Sequence, residues 1–162
     1  MDAFFERWAD VTPSVEQIVS KGMPWGGLHE RLHGVKLAPG CPFPPPDVTP
    51  QTRPWLELLE TGTFSDATLA LVPVNFEVAD AWVELLTASL SNGHETWLHY
   101  LFLGTHAIEV GNALGGRTLL ARSMQLRPSV HAQRALAVLA PTVDEAMAAY
   151  LQAWSLWSSL DL

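Results

Sequence analysis

Apolar residues in the second half of the chain recur at spacings of three and four, which is the period of an amphipathic helix. The clearest example lies between Thr96 and Pro128, where a helical pattern stops at Gly111 and resumes near Gly115. Glycine ends helices readily because it adopts left-handed backbone, and proline cannot continue a helix. The pattern therefore predicts two helices joined by a short turn.

The first half, residues 1–75, has shorter apolar stripes that are separated by glycine and proline. Short helices are predicted at residues 2–9, 12–22, 28–33 and 54–60, and a weakly alternating, extended link at 68–74. Six prolines between Pro39 and Pro50 predict an extended arm laid over the helices, or else a ligand for a polyproline-binding protein. The chain is thus predicted to be one all-α domain, residues 1–162, whose irregular, proline-rich N-terminal half packs on a regular helix stack.

The helices of the second half repeat one pattern, in which a small, a large and a small residue follow at spacings of four and three. It occurs at Ala81, Leu85, Ala88 and Gly93, 35 residues later at Gly116, Leu120, Ser123 and Pro128, and again at Ala146, Tyr150 and Ala153. Small residues let a neighbouring helix cross closely, and the large residue fills the space between them. Helix pairs that recur every thirty-odd residues predict a solenoid.

One copy of this pattern resembles a tetratricopeptide repeat. The matching positions are Tyr100-x2-Leu103-Gly104-x2-Ala107, Gly111, Gly116-x3-Leu120, Ser123 and Pro128. The resemblance covers about residues 76–158 and implies a short stack of antiparallel helix pairs with an inner groove. The last pair departs from the family pattern, because it is about four residues short between Ala137 and Asp144.

The same resemblance implies which residues line the groove, namely Leu98, Leu101, Thr105, Ile108 and Glu109. Most of them are apolar, so we expect an apolar helix, or the chain's own N-terminal half, to fill the groove rather than a charged peptide. Trp154, Leu156 and Trp157 are expected to cap the end of the stack.

A second resemblance covers more of the chain. Gly22-x2-Trp25-Gly26-Gly27-Leu28 and Pro54-Trp55-Leu56-Glu57-Leu58-Leu59-Glu60-x-Gly62, followed by the repeats, are similar to the helical tail of large bacterial carbohydrate-associated β-sandwich proteins. In those proteins the tail is a scaffold. The similarity therefore implies a scaffold here, and an accessory role in carbohydrate metabolism stays an alternative.

Charge and composition narrow the range of partners. Seventeen acidic residues against nine basic ones give a net charge of −8, which disfavours nucleic acid as a partner. Charged residues make up only 16%, against a usual share of about 25%, and such a surface is often partly covered by a protein partner or a second copy. Cys41 is the single cysteine, and no apolar run approaches the about 18 residues of a membrane span, so we expect a cytoplasmic protein that does not enter the membrane.

The segment His29-Glu30-Arg31-Leu32-His33 contains a possible zinc motif, H-E-x-x-H. Two histidines one helical turn apart can hold Zn²⁺ while Glu30 activates a water molecule, as in a metal-dependent hydrolase. Against this interpretation, the helix is short and Arg31 lies inside the motif. The third ligand would have to be remote, from Glu57, Glu60 or His94. A solvated turn without a cofactor is the favoured interpretation.

A polar stripe on one predicted helix consists of Glu95, His99, Phe102, His106 and Glu109. Each histidine can pair with a neighbouring carboxylate, which raises its affinity for a proton and would suit acid–base chemistry. The alternative, which we favour, is that the histidines make inter-helix hydrogen bonds.

A local excess of basic residues lies between Val110 and Val143, where no acidic residue occurs. It consists of Arg117, Arg122, Arg127 and Arg134, together with His131. Guanidinium groups bind carboxylates in a two-pronged fork, so these residues can clamp an acidic partner. The alternative is that these arginines form ion pairs with acidic residues on neighbouring helices, such as Glu84, Asp144 and Glu145.

These patterns predict an interaction or scaffold module more than an enzyme. We expect it to bind a protein, a peptide or a small ligand in its groove with the help of Arg117 and Arg122, or to associate with itself. A small zinc hydrolase built on His29, Glu30 and His33 is the alternative from a different class.

Overall fold

Every regular element that a computed structural model describes is an α-helix; the described residues are 28, 31–34, 52–73 and 79–158. The helices are α1 (Arg53–Thr61), α2 (Asp66–Leu69), α3 (Asp80–Ser91), α4 (Trp97–Glu109), α5 (Ala113–Leu126), α6 (Val130–Val138) and α7 (Val143–Ser158). No strand occurs in these ranges, so the all-α prediction is confirmed. The chain divides into two compact units, residues 1–56 and 57–162, and the prediction of a single domain stays a prediction.

In the first unit, the described residues include a helical turn and the beginning of α1. Leu28 and residues 31–33 are helical, and Gly34 has a φ of 65° where the turn ends, as the sequence predicts. Leu28 and Trp55 are fully buried. The helices predicted at 2–9 and 12–22 and the proline-rich segment between residues 35 and 50 lie outside the described residues.

In the second unit, the predicted link at 68–74 begins with a helical turn instead of extended backbone. Ser65 caps α2 by accepting a hydrogen bond from the backbone N–H of Thr68, 3.3 Å away, and Asp66 lies in the first turn. A serine cap and an acidic residue both stabilise the exposed N–H groups of a helix start. The apolar alternation after Thr68 was therefore a weaker signal than the cap before it.

From α3 onward, consecutive helices pack on one another in sequence order. Helix α4 packs mainly on α5, and α6 packs mainly on α7, while α5 and α6 share a smaller contact. The connections are short, for example 110–112 between α4 and α5 and 139–142 between α6 and α7. Short connections between packed helices make the neighbours antiparallel. The second unit is thus a series of helical hairpins.

Two glycines allow α4 and α5 to cross closely. A Cβ atom at Gly104 would lie 2.8 Å from Cγ of Leu120, and one at Gly116 would lie 3.1 Å from the carbonyl oxygen of Gly104. Carbon atoms in contact normally stand about 3.5–4.0 Å apart. Neither position therefore has room for a side chain, which is the physical reason for the small residues in the predicted repeat.

The buried positions of α3 lie one residue further along the chain than the positions that the sequence pattern predicted. In α3 the buried residues are Trp82, Leu86 and Ser89, whereas Ala81 and Leu85 are half-buried and Ala88 is exposed. In α5 they are Gly116, Leu120 and Ser123, so buried positions recur after 34 residues instead of 35. Both registers have the same internal spacing, so spacing alone did not decide which face of α3 is covered.

A buried hydroxyl ties the end of α5 to the beginning of α4. Ser123 has no exposed surface, and its Oγ donates a hydrogen bond to the carbonyl oxygen of Trp97 at 2.8 Å. Because the acceptor is buried as well, losing the donor is costly.

We expect Ser123→Ala to lower the free energy of unfolding by about 1–2 kcal/mol, measured by urea denaturation. Ser91→Ala is the matched control, because the Ser91 hydroxyl is exposed and bonds only to the carbonyl oxygen of Thr87 in its own helix, 2.9 Å away. We expect the control to change the free energy by less than about 0.5 kcal/mol. Equal effects of the two substitutions would contradict the structural role of Ser123.

The last hairpin is shortened, as the sequence predicts. Helix α6 has 9 residues, against 13 in α4, the helix it corresponds to in the predicted repeat. Helix α7 then begins at Val143, directly after Pro141 and Thr142. Among the residues that the structure describes, no helix combines the length and apolar character needed to cross a bilayer.

Candidate functional site

Helix α7 exposes its large apolar side chains and turns three of its four alanines toward the protein. Ala153 is buried and Ala146 and Ala149 are half-buried, whereas Val143 is 80% exposed, Leu151 62% and Trp154 69%. A surface helix ordinarily has the opposite arrangement, with its large apolar residues inside. We call the exposed stripe the α7 face; it consists of Val143, Met147, Tyr150, Leu151 and Trp154. Trp154, which was expected to cap the stack, is therefore itself uncovered.

A shallow pocket lies between the α7 face and α6. It has a volume of about 430 Å³ and is lined by Val130, Arg134, Tyr150, Ala153, Trp154 and Trp157. Arg134 is exposed and makes no ion pair or hydrogen bond with any described residue. An unpaired guanidinium beside two indole rings can receive a carboxylate from outside the chain.

A larger cavity adjoins this pocket and shares Val130 and Trp157 with it. We call it the Trp97 cavity; it is lined by residues 71–73, Trp97, residues 127–131 and residues 156–157, and its volume is about 510 Å³. Four separate segments of the second unit contribute to it. Leucine, valine, proline and tryptophan side chains supply most of the wall, which suits an apolar ligand.

Arg127 is the charged residue in the wall of the Trp97 cavity. Its guanidinium carbon lies 4.9 Å from the centre of the Trp97 ring, and its Nη1 donates a hydrogen bond to the carbonyl oxygen of Leu69. Stacking on an indole and one hydrogen bond hold the guanidinium in place without neutralising it. Its other N–H groups have no acceptor among the described residues.

His131 stands in the same wall, but it contributes little positive charge near neutral pH. Burial lowers the pKa of His131, and the nearby positive charge of Arg134 lowers it further. Both effects disfavour the protonated ring. The cationic character of the Trp97 cavity therefore comes from Arg127.

The structure separates the residues that the sequence predicted for the groove. Leu98 and Leu101 are buried, with 2% and 4% of their surface exposed, while Thr105 and Ile108 are half-buried and Glu109 is exposed. The hydroxyl of Thr105 donates to the carbonyl oxygen of Leu101 in the same helix at 2.8 Å. The two leucines consequently offer no surface to a partner, and whether the other three bind one stays a prediction.

Two of the predicted arginines are already engaged inside the second unit. Nη2 of Arg122 lies 2.8 Å from Oε1 of Glu95, which also accepts a hydrogen bond from the hydroxyl of Tyr100 at 2.9 Å. The hydrogen bonds from Arg122 and then Tyr100 lower the pKa of Glu95. Arg117 donates to the carbonyl oxygen of Leu139. Arg122 therefore does form an ion pair with an acidic residue on a neighbouring segment. That residue is Glu95, which was not among the acids named from the sequence.

The predicted acid–base role does not fit His99, which is a buried, neutral core residue. Its ring has no exposed surface, Nδ1 lies 2.8 Å from the Thr96 hydroxyl, and Nε2 lies 2.8 Å from the Ser89 hydroxyl. Burial lowers its pKa to about 4, with a smaller contribution from His94. Pairing with a carboxylate, which would have raised the pKa, is therefore wrong for His99, and the inter-helix hydrogen bond is confirmed. His106 is half-buried on the same helix.

The zinc hypothesis rests mostly on residues outside the described ranges. His29 and Glu30 are not among the described residues, whereas His33 is described and is helical and exposed. Within the described ranges, no group of three or more histidine, cysteine, aspartate or glutamate side chains is placed to hold a metal ion. A zinc site at His29, Glu30 and His33 stays a prediction, and metal analysis of the purified protein tests it.

Sequence reasoning missed both the α7 face and the Trp97 cavity. The spacing of Met147, Leu151 and Trp154 carries the helical period of the face, but the period does not tell whether a stripe is covered. No local sequence pattern could have predicted the cavity, because its wall is formed by four segments that are distant along the chain. A scan against protein-family models finds no match, and searches of the curated proteins and of the solved structures return no significant similarity.

Proposed function

We propose that residues 79–158 form a tetratricopeptide-like module that binds an amphipathic helix of a partner protein on the α7 face. The observation that carries the proposal is the inverted arrangement of α7, with Ala153 buried and the much larger Leu151 and Trp154 exposed. Contiguous exposed apolar patches are uncommon on monomeric proteins and mark interaction sites. The module would act as a scaffold and would not itself catalyse a reaction.

The repeat character of the module rests on three features. Helices pack in sequence order, the α4–α5 crossing needs glycine at Gly104 and Gly116, and buried positions recur after 34 residues between α3 and α5. A stack of this kind can be continued by one more helix at its end. An incoming helix with apolar residues at spacings of three and four matches the stripe on α7.

The charges near the α7 face favour a particular type of helix. Arg134 lies in the pocket beside Tyr150 and Trp154 and has no carboxylate partner among the described residues. We therefore expect the partner helix to carry an aspartate or glutamate next to its apolar stripe. A second copy of this chain is less favoured, because an isologous contact centred on this face brings the same arginine to both sides of the two-fold axis.

Selection from a displayed library of amphipathic helices tests the proposal. We expect enriched sequences to combine an apolar stripe with an acidic residue, and we expect Leu151→Glu and Trp154→Ser each to weaken their binding at least about tenfold. Leu114→Glu is the matched control, because Leu114 is 78% exposed, lies on α5 and is not one of the residues of the face. Arg134→Glu should shift the selection toward basic helices.

Three outcomes would overturn the proposal. One is a library that yields no binder, and another is binding that survives both α7 substitutions. The third is a dimer in light scattering that Leu151→Glu dissociates, because a second copy would then be the occupant of the face.

A further inference from the structure

The Trp97 cavity has the size and lining of a small-molecule site. Its volume of about 510 Å³ falls within the range of about 300–1,000 Å³ that is usual for ligand pockets. Val72, Pro73, Val130 and Trp157 provide apolar wall. A ligand that fills it would gain free energy mainly by removing apolar surface from water.

The polar groups of the cavity select the sign of the ligand's charge. Arg127 is held by Trp97 and by the carbonyl oxygen of Leu69, yet it retains N–H donors without an acceptor among the described residues. Trp97 is 95% buried, and its indole N–H has no hydrogen-bond partner among those residues. None of the described residues that line this cavity is acidic. The unused guanidinium N–H groups of Arg127 in an apolar wall fit an acceptor that carries negative charge.

From this juxtaposition we infer that the Trp97 cavity binds a small organic carboxylate with an apolar body, with the carboxylate on Arg127 and the body against Val130 and Trp157. The inference does not depend on the proposed function, because it concerns a cavity beside the α7 face and not the face itself. A bidentate contact to the guanidinium would orient the ligand, and the apolar wall would supply most of the affinity.

The arginine is pre-positioned for this role. In water a free guanidinium loses side-chain entropy when it binds a carboxylate, but Arg127 is already ordered by its stacking and its hydrogen bond. The loop that carries it is short, running from the end of α5 at Leu126 to the start of α6 at Val130. Pro128 and the Ser129 cap on the N–H of Ala132 restrict that loop further.

Calorimetric titration with matched probes tests the inference. Decanoate is compared with decanol and decyltrimethylammonium, and 1-naphthoate with 1-naphthalenemethanol, all below their aggregation limits and at one ionic strength. We expect at least one carboxylate to bind about tenfold or more tightly than its neutral counterpart, since a charge-assisted contact contributes at least that factor. We also expect the carboxylate to shift the indole N–H resonance of Trp97, assigned with Trp97→Phe.

Three variants locate the site. Arg127→Gln should abolish the preference for the carboxylate while leaving the binding of the neutral probe within about twofold. Val72→Glu places a carboxylate in the wall at a residue that is 54% exposed, so the fold should tolerate it while carboxylate binding falls about tenfold or more. Leu114→Glu adds the same charge on α5, outside the cavity, and should leave binding unchanged.

The inference is overturned if neither carboxylate is preferred over its neutral counterpart. It is also overturned if Val72→Glu weakens binding no more than Leu114→Glu does. Should Arg127→Gln fail to fold, the Val72→Glu comparison and the Trp97 resonance still decide the question. None of these readouts involves a protein partner, so they separate this site from the α7 face.

Discussion

Replacing Gly104 by valine is expected to lower the free energy of unfolding by about 3 kcal/mol. A Cβ atom at this position would lie 2.8 Å from Cγ and 3.2 Å from the backbone nitrogen of Leu120, which is fully buried. Relief would require α4 and α5 to move apart along their main contact. The intrinsic gain from replacing a helical glycine, at most about 1 kcal/mol, is too small to offset this overlap.

Urea denaturation followed by circular dichroism measures the effect. Ala88→Val is the control, because Ala88 is exposed on α3 and has space for the larger side chain. A double-mutant cycle then tests the cause: Leu120→Ala removes the overlapping atoms, so Gly104→Ala should cost less in its presence than alone. If Gly104→Val costs no more than Ala88→Val, the close crossing of the two helices is not what the glycine provides.

The second large effect is a loss of stability in mild acid that depends on His99. The pKa of His99 is about 4 in the folded protein, against an ordinary value of 6.5. Between these values the unfolded chain binds a proton that the folded protein does not bind, so the free energy of unfolding falls as the pH drops from 6.5 to 4. The contribution is present in full above pH 6.5 and amounts to about 3–4 kcal/mol for a shift of this size.

Urea denaturation at several pH values between 7 and 4 measures this dependence. The variant His99→Gln cannot titrate, so its stability should fall less steeply over that interval, although it starts lower because the hydrogen bonds to Ser89 and Thr96 are disturbed. Identical slopes for the wild type and His99→Gln would show that another group causes the acid sensitivity.

The surroundings of His99 explain why this member of the predicted polar stripe does not suit acid–base chemistry. A neutral imidazole has one donor and one acceptor nitrogen, and the hydroxyls of Ser89 and Thr96 can serve either. Both polar atoms are therefore satisfied inside the core. The ring of Phe64, 4.6 Å from the imidazole centre, adds an apolar neighbour that further disfavours charge.

The sequence predicted several helix ends because their causes are local. Gly62, Gly93 and Gly111 have positive φ at or just beyond helix ends, as a left-handed terminator requires. The shortened α6 was visible from the position of Pro141. Each of these signals lies within a few residues of its effect, and neighbouring helices do not change it.

The candidate sites were less predictable because they depend on residues that are distant along the chain. The sequence locates the excess of basic residues, but only the structure separates Arg122, which is paired with Glu95, from Arg127 and Arg134, which have no carboxylate among the described residues. Likewise, Leu98 looked available to a partner and is buried. A residue type states what a side chain can do, whereas its surroundings decide whether it is free to do so.

The sequence by itself determined that the second half of this protein is helical, that one hairpin turns at Gly111, and that small residues stand where neighbouring helices cross. Helical period, caps and side-chain size depend on residues that are close together in the chain, so they can be recognised from the sequence alone. Only the tertiary structure decided the 34-residue register of burial, the neutral state of His99, and the exposure of the α7 face. These depend on which helix covers which face, and that choice is made by packing between segments far apart in the chain.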